Sequence, residues 1–108
     1  MRHIKDGAKV EGLKPVMLNA LIVMAVIFSK HGVDMVVTEG TGGVHKVNSL
    51  HYRGYAVDLR SHQLVLVQQA LVLAEIKEQL GPDFDCILEG DHYHIEYDPQ
   101  HNGGKDLP

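Results

Sequence analysis

Two polar interruptions break otherwise apolar stretches of this 108-residue chain: "SLHYRGYAVDLR" at 49 to 60 and "EGDHYHIEY" at 89 to 97. The first carries His51 and Asp58, the second His92 and His94. Residues two apart on a strand project to the same face, so His92, His94 and Glu96 line up together while Tyr93, Ile95 and Tyr97 take the opposite face. Two imidazoles and a carboxylate on one sheet face are costly in a dry core and wasted on a plain surface. His51 and Asp58 stand seven apart, which would send them to opposite faces of an uninterrupted strand. Gly54 between them offers a break that lets both converge. Two histidines and one aspartate supply two neutral nitrogens and one anionic oxygen, a set suited to zinc at roughly 2.0 to 2.2 Å per bond. Three protein ligands leave a fourth position for water, whose pKa zinc lowers towards about 7.

Other chemistries fit less well. "EGTGGVHK" invites a phosphate-loop reading, but His45 stands where a glycine is required before Lys46, and a strand rather than a helix is expected next. There is no "HExxH", and Ser49 lacks the context of a nucleophile elbow. The chain holds eight histidines, and for any one of them alone a surface or capping role is the better account. The joining of "HYH" to "HYRGYAVD" reverses that balance.

"SLHYRGYAVD" resembles the serine, histidine, glycine, alanine, aspartate signature of the zinc D-Ala-D-Ala metallopeptidase group, and "DHYHIE" resembles its second motif. The group includes D-Ala-D-Ala carboxypeptidases and dipeptidases, L-alanyl-D-glutamate endopeptidases of phage endolysins, and the fold relatives lysostaphin and the hedgehog signalling domain. The likeness runs from "VEGLKPVMLNAL" to "HIEYD". It implies His51, Asp58 and His94 as the zinc ligands, Asp91 as the general base three residues before His94, and His92 as a neighbouring transition-state partner. A second register matches "EGDH" to the group's "ExxH" form, making Glu89 the base and His92 the ligand. The first is preferred, because "HIE" resembles the phage endopeptidase ending and the "HxH" form uses its second histidine. It requires a turn before His92, since Asp91 would otherwise lie on the wrong strand face, and Gly90 can supply one. Glu96 is a candidate to orient a ligand histidine. Many members carry an arginine after the strand preceding the first motif; here that stretch is "VVTEGTGG", leaving His45, Lys46 or Arg60 as substitutes.

These residues need elements to position them. "LKPVMLNALIVMAVIFSKHG" has Pro15 to open a helix, an apolar body almost all the way round, and Lys30, His31 and Gly32 to end it, giving a buried helix over 15 to 31. "VDMVVT" predicts a strand over 33 to 38, followed by a glycine-rich loop. Ser61 is placed to cap a second helix with Leu64, Val67, Leu71 and Ala74 on its apolar face, ending at Gly81 and Pro82. "FDCILEG" and "HYHIEYD" predict two strands or one bent strand, and the polar tail predicts a loop or frayed end. This order implies an α+β domain over 1 to 108, a small mainly antiparallel sheet with packed helices, resembling the hedgehog and DD-peptidase fold.

Composition sets the outer bounds. With 44% apolar residues the chain suits one core. A net charge of −4 with scattered Lys and Arg offers no basic stripe for nucleic acid. Cys86 is alone, which excludes an intrachain disulfide, and it reads as a buried core thiol. The run "ALIVMAVIF" is too short to span a bilayer, and no apolar h-region follows the basic start, so synthesis in the cytoplasm without a signal peptide is expected. The expectation is a zinc peptidase acting on the peptidoglycan stem peptide after release or as a virion component. The alternatives are a D-Ala-D-Ala carboxypeptidase or dipeptidase and a non-catalytic, zinc-stabilised binding module.

Overall fold

A computed structural model describes residues 2–42, 50 and 53–99. The first helix, α1 (Pro15–Lys30), starts where proline's missing N–H and fixed φ suit the first turn. It ends where Gly32 takes φ +80° and the Val33 N–H donates to Phe28 O. Met17, Ala20, Leu21, Met24, Ile27 and Phe28 form its buried side. The expectation of an all-round buried helix is corrected: Leu18, Ile22 and Val26 recur at four-residue spacing on the outer face and are exposed. A one-sided sheet needs only one helix face.

The strands are β1 (Arg2–Ile4), β2 (Met35–Glu39), β3 (Ala56–Arg60), β4 (Phe84–Glu89) and β5 (His92–Tyr97), arranged β1-β2-β3-β5-β4. β1 runs parallel to β2 and every other pairing is antiparallel. The short β1 was not expected from its sequence, and β2 begins two residues later than predicted and ends at Glu39. Val37 pairs with Leu59 and Glu39 with Asp58, so Thr38 is an extra residue on β2, a bulge. β4 and β5 are separate strands joined through Gly90 and Asp91, with Gly90 at φ +60° as a two-residue hairpin requires.

Alternation gives the sheet two unlike faces. Val37, Val57, Leu59, Cys86, Tyr93 and Ile95 are buried in the core cluster with α1, and the Phe28 and Tyr93 rings meet edge to face at 6.0 Å. The second helix, α2 (Leu66–Leu80), covers the same side and contacts β4.

Its start and its inner face both differ from expectation. Val65, not Ser61, occupies the N-cap position, and Ser61 is buried before the helix. Val67 and Leu71 point outward at 67% and 53% exposure, and Ala74 is exposed too, while Gln69, Val72 and Ile76 face the core. Gln69 is tolerated there because its Nε2 donates to Ser61 O (3.2 Å) and Leu64 O (3.0 Å), which ties α2 to the end of β3. Tyr93 adds a bond from its hydroxyl to Gln69 O at 2.7 Å.

The result is an α+β fold with helices on one face of a mainly antiparallel sheet. Among the described residues, no helix is long and apolar enough to cross a membrane.

Candidate functional site

The face that the helices leave open carries the polar residues. Asp58 on β3 and His94 on β5 are direct cross-strand partners, as are Arg60 and His92, and Ala56 and Glu96. His94 Nδ1 lies 3.0 Å from Asp58 Oδ1 and its Nε2 lies 2.7 Å from Glu96 Oε1. The three side chains are largely shielded, at 18%, 15% and 20% exposure. The hydrogen bonds to Asp58 and then Glu96 outweigh burial and push the His94 pKa up to about 10. At neutral pH the imidazolium therefore donates from both nitrogens, one to each carboxylate.

With the Nδ1 proton displaced, Nδ1 and Asp58 Oδ1 are spaced as two ligands of a zinc ion would be. Two ligands on a tetrahedral zinc with bonds of about 2.1 Å stand roughly 3.4 Å apart. The Nδ1 to Oδ1 separation of 3.0 Å needs to widen by only a few tenths of an ångström. Nε2 is already held by Glu96, the arrangement in which a metal-ligating histidine gives its other ring N–H to a carboxylate. Among the described residues His92 is not set between two carboxylates: its Nδ1 lies 3.2 Å from Asp91 Oδ1.

Asp91 sits in the hairpin turn, so the face it would occupy on a continuous strand does not apply to it. Its carbonyl accepts the Ser61 N–H at 3.0 Å, anchoring the turn to the end of β3. Its carboxylate is 84% exposed, and the His92 hydrogen bond holds its pKa below the ordinary carboxylate range. Glu89, the base in the alternative register, pairs with His92 across the hairpin and is exposed.

A cleft of about 280 Å³ opens on this face, lined by Asp58, Asp91 and His92 together with Lys5, Thr38, Arg60 and His62. It gathers Asp58, Asp91 and His92 from the expected site; His94, hydrogen-bonded to Asp58, and Glu89 do not line it. Arg60, one of the substitutes considered for the missing arginine, is in the cleft. Lys5, Thr38 and His62 went unrecognised. His62 was legible, since Asp58, Arg60 and His62 follow the two-residue alternation of one strand face. Lys5 enters only through the parallel pairing of β1 with β2, which carries no local signal.

The first motif is anchored at Gly54. Its φ is +83°, and a Cβ there would stand 2.3 Å from Gly12 O. Gly54 O in turn accepts the Lys14 N–H at 3.0 Å, and the Tyr55 N–H reaches back to Leu50 O at 2.9 Å. His51, His45 and Lys46 lie outside the described residues. Among the described residues no three His, Cys, Asp or Glu side chains form a metal-holding group; Asp58 and His94 are two of the three ligands expected. No family model matches the chain, and no curated protein matches it.

Proposed function

We propose that this chain is a zinc peptidase that hydrolyses a peptide bond of the peptidoglycan stem peptide, acting as an L-alanyl-D-glutamate endopeptidase. The observation that carries the reading is the hydrogen-bonded row Asp58, His94, Glu96 on the open sheet face, whose Asp58 lines a cleft together with Asp91. In this reading Asp58 and His94, with His51, hold zinc, and Glu96 fixes the His94 ring. Bound zinc would polarise the scissile carbonyl and acidify its water. Asp91 takes the proton released by the attacking water and passes it to the leaving amine. Its exposure and lowered pKa keep it ionised at neutral pH, as a base must be. Closure of the cleft by substrate strips that solvent away and strengthens Asp91 as a proton acceptor. His92, hydrogen-bonded to Asp91, orients the carboxylate and offers a donor towards developing negative charge.

The test combines zinc analysis with hydrolysis of purified sacculi and of short D-Ala-D-Ala peptides. Asp91→Asn is expected to keep its zinc and lose roughly 10²- to 10⁴-fold in rate. His94→Ala is expected to lose the metal, whereas His92→Ala and Glu89→Gln keep it. Zinc retained in His94→Ala but lost in His92→Ala would transfer the roles to Glu89 and His92. Cleavage of D-Ala-D-Ala peptides but not of sacculi would make the protein a carboxypeptidase or dipeptidase. Zinc binding with no hydrolysis of either would leave a binding module, and hydrolysis persisting after complete zinc removal would refute the mechanism.

A further inference from the structure

The cleft holds two permanent cations that the proposed chemistry does not use. Arg60 lies two residues beyond Asp58 on β3, so alternation sends its side chain to the same open face. Lys5 follows β1 and reaches the cleft from the opposite edge, where its backbone N–H donates to Val37 O. Between them stands Thr38, the bulge residue of β2, which lines the cleft as well. Two carboxylates, Asp58 and Asp91, share this space, yet among the described residues neither Lys5 nor Arg60 forms an ion pair or a side-chain hydrogen bond with them. Asp58 is turned to His94, and Asp91 to His92. The acidic groups are thus satisfied by histidines, and the two cations face the open volume.

A cation that lines a cleft and has no carboxylate partner among the described residues is placed to meet an anion brought by a ligand. We infer that Lys5 and Arg60 form a carboxylate-binding subsite that selects peptides bearing a free carboxylate near the scissile bond. Arg60 offers a planar fork for two parallel hydrogen bonds, and Lys5 offers a mobile point charge. The inference rests on the peptidase reading for its substrate class. A stem peptide offers this chemistry from two sources, the free α-carboxylate of a γ-linked D-glutamyl residue and the carboxylate at the chain end.

Three peptides separate the sources: L-alanyl-γ-D-glutamyl-L-lysine with both carboxylates free, its counterpart with the glutamyl α-carboxylate converted to carboxamide, and its counterpart with a C-terminal carboxamide. Binding by calorimetry and kcat/KM are measured on zinc-loaded wild type, Lys5→Ala, Arg60→Gln, the double variant, and the charge-conserving Lys5→Arg and Arg60→Lys. Wild type should favour the free acid over one of the amides by roughly 10- to 100-fold, the range expected for a charge-assisted hydrogen bond. The neutral variants should lose that preference while handling the matching amide as wild type does, and the charge-conserving ones should keep part of it. A general folding defect would lower all three peptides together and leave the ratio intact. Wild type without any acid preference, or neutral variants that retain it, would overturn the subsite. Peptides bound with the preference but left uncut would refute the peptidase and leave the subsite standing. Peptides cut without the preference would do the reverse, and peptides neither bound nor cut would refute both.

Discussion

Gly54 ties the first motif to the segment before α1, and the size of its constraint can be isolated by comparing it with Gly32. Both have nearly the same backbone conformation, at φ +83° and +80°. A Cβ added at Gly32 meets nothing within 4 Å, whereas one at Gly54 would lie 2.3 Å from Gly12 O and 3.3 Å from Lys14 N. Gly32→Ala should therefore show only the left-handed strain of an L-residue, about 1–2 kcal/mol. Gly54→Ala bears the same strain and must also push two backbone segments apart. Relief of the clash threatens the bond from Lys14 N–H to Gly54 O, whose net worth is about 1 kcal/mol. The displacement itself adds overpacking of roughly 1–3 kcal/mol. The difference between the variants should thus be about 2–4 kcal/mol, or a gap in Tm on the order of 10–25 °C for a domain of this size. Urea denaturation monitored by far-UV circular dichroism, with matched m-values, measures it directly. Destabilisation equal within about 0.5 kcal/mol in the two variants would refute the close approach of the two segments. At a temperature where both variants are folded, only Gly54→Ala should also reduce zinc retention, because only Gly54 lies within the segment proposed to carry zinc ligands.

The remaining predictions follow from the paired groups. Because the folded His94 pKa is raised from 6.5 to about 10, the stability it contributes is complete below about pH 6.5 and is lost as pH rises through 10. Metal-free wild type should therefore fall in stability relative to metal-free His94→Gln between those limits, as read from urea midpoints at each pH; a constant difference would contradict the ion triad. Glu96→Gln should weaken zinc retention by about 10- to 100-fold in chelator competition, since it alters the group that holds Nε2. Tyr93→Phe should destabilise by about 1 kcal/mol through loss of its bond to Gln69 O, with zinc content unchanged.

The pattern-bearing elements were legible, and their exact faces less so. Strand alternation in "HYHIEY" correctly separated His92, His94 and Glu96 from buried Tyr93 and Ile95. Pro15 and Gly32 marked α1 because each acts through its own backbone chemistry. The inner face of α2 was misread because Val67 and Leu71 are apolar and Gln69 is not. Tertiary hydrogen bonds to Ser61 O and Leu64 O make a buried glutamine acceptable, and no periodicity rule contains them. β1 was missed because three residues carry too little pattern; its pairing with β2 defines it. Lys5 was missed with it. Alternation put His94 and Glu96 on one face, but the register that sets His94 opposite Asp58 is a property of the antiparallel ladder and has no local signal.

The hairpin explains how Asp91, three residues before His94, can share a cleft with His94's partner Asp58. On a continuous strand the two would face opposite ways, and a base placed there would be driven into the core beside Tyr93. Gly90 at φ +60° ends β4 and lets Asp91 occupy the second turn position instead of a strand position. The Ser61 N–H then holds the Asp91 carbonyl in line with the β3–β5 ladder, so the turn is fixed to the strand that carries Asp58. Asp91 and Asp58 consequently line the same cleft while belonging to different structural regimes: one exposed in a turn and ionised, the other shielded on a strand and paired with His94. In the mechanism proposed above, the exposed Asp91 would accept the proton and the shielded Asp58 would hold the metal. Lengthening the turn by one glycine between Gly90 and Asp91 should therefore abolish hydrolysis while leaving zinc bound. Simultaneous loss of zinc would mean that the turn positions His94 as well, and full activity would remove Asp91 as the base.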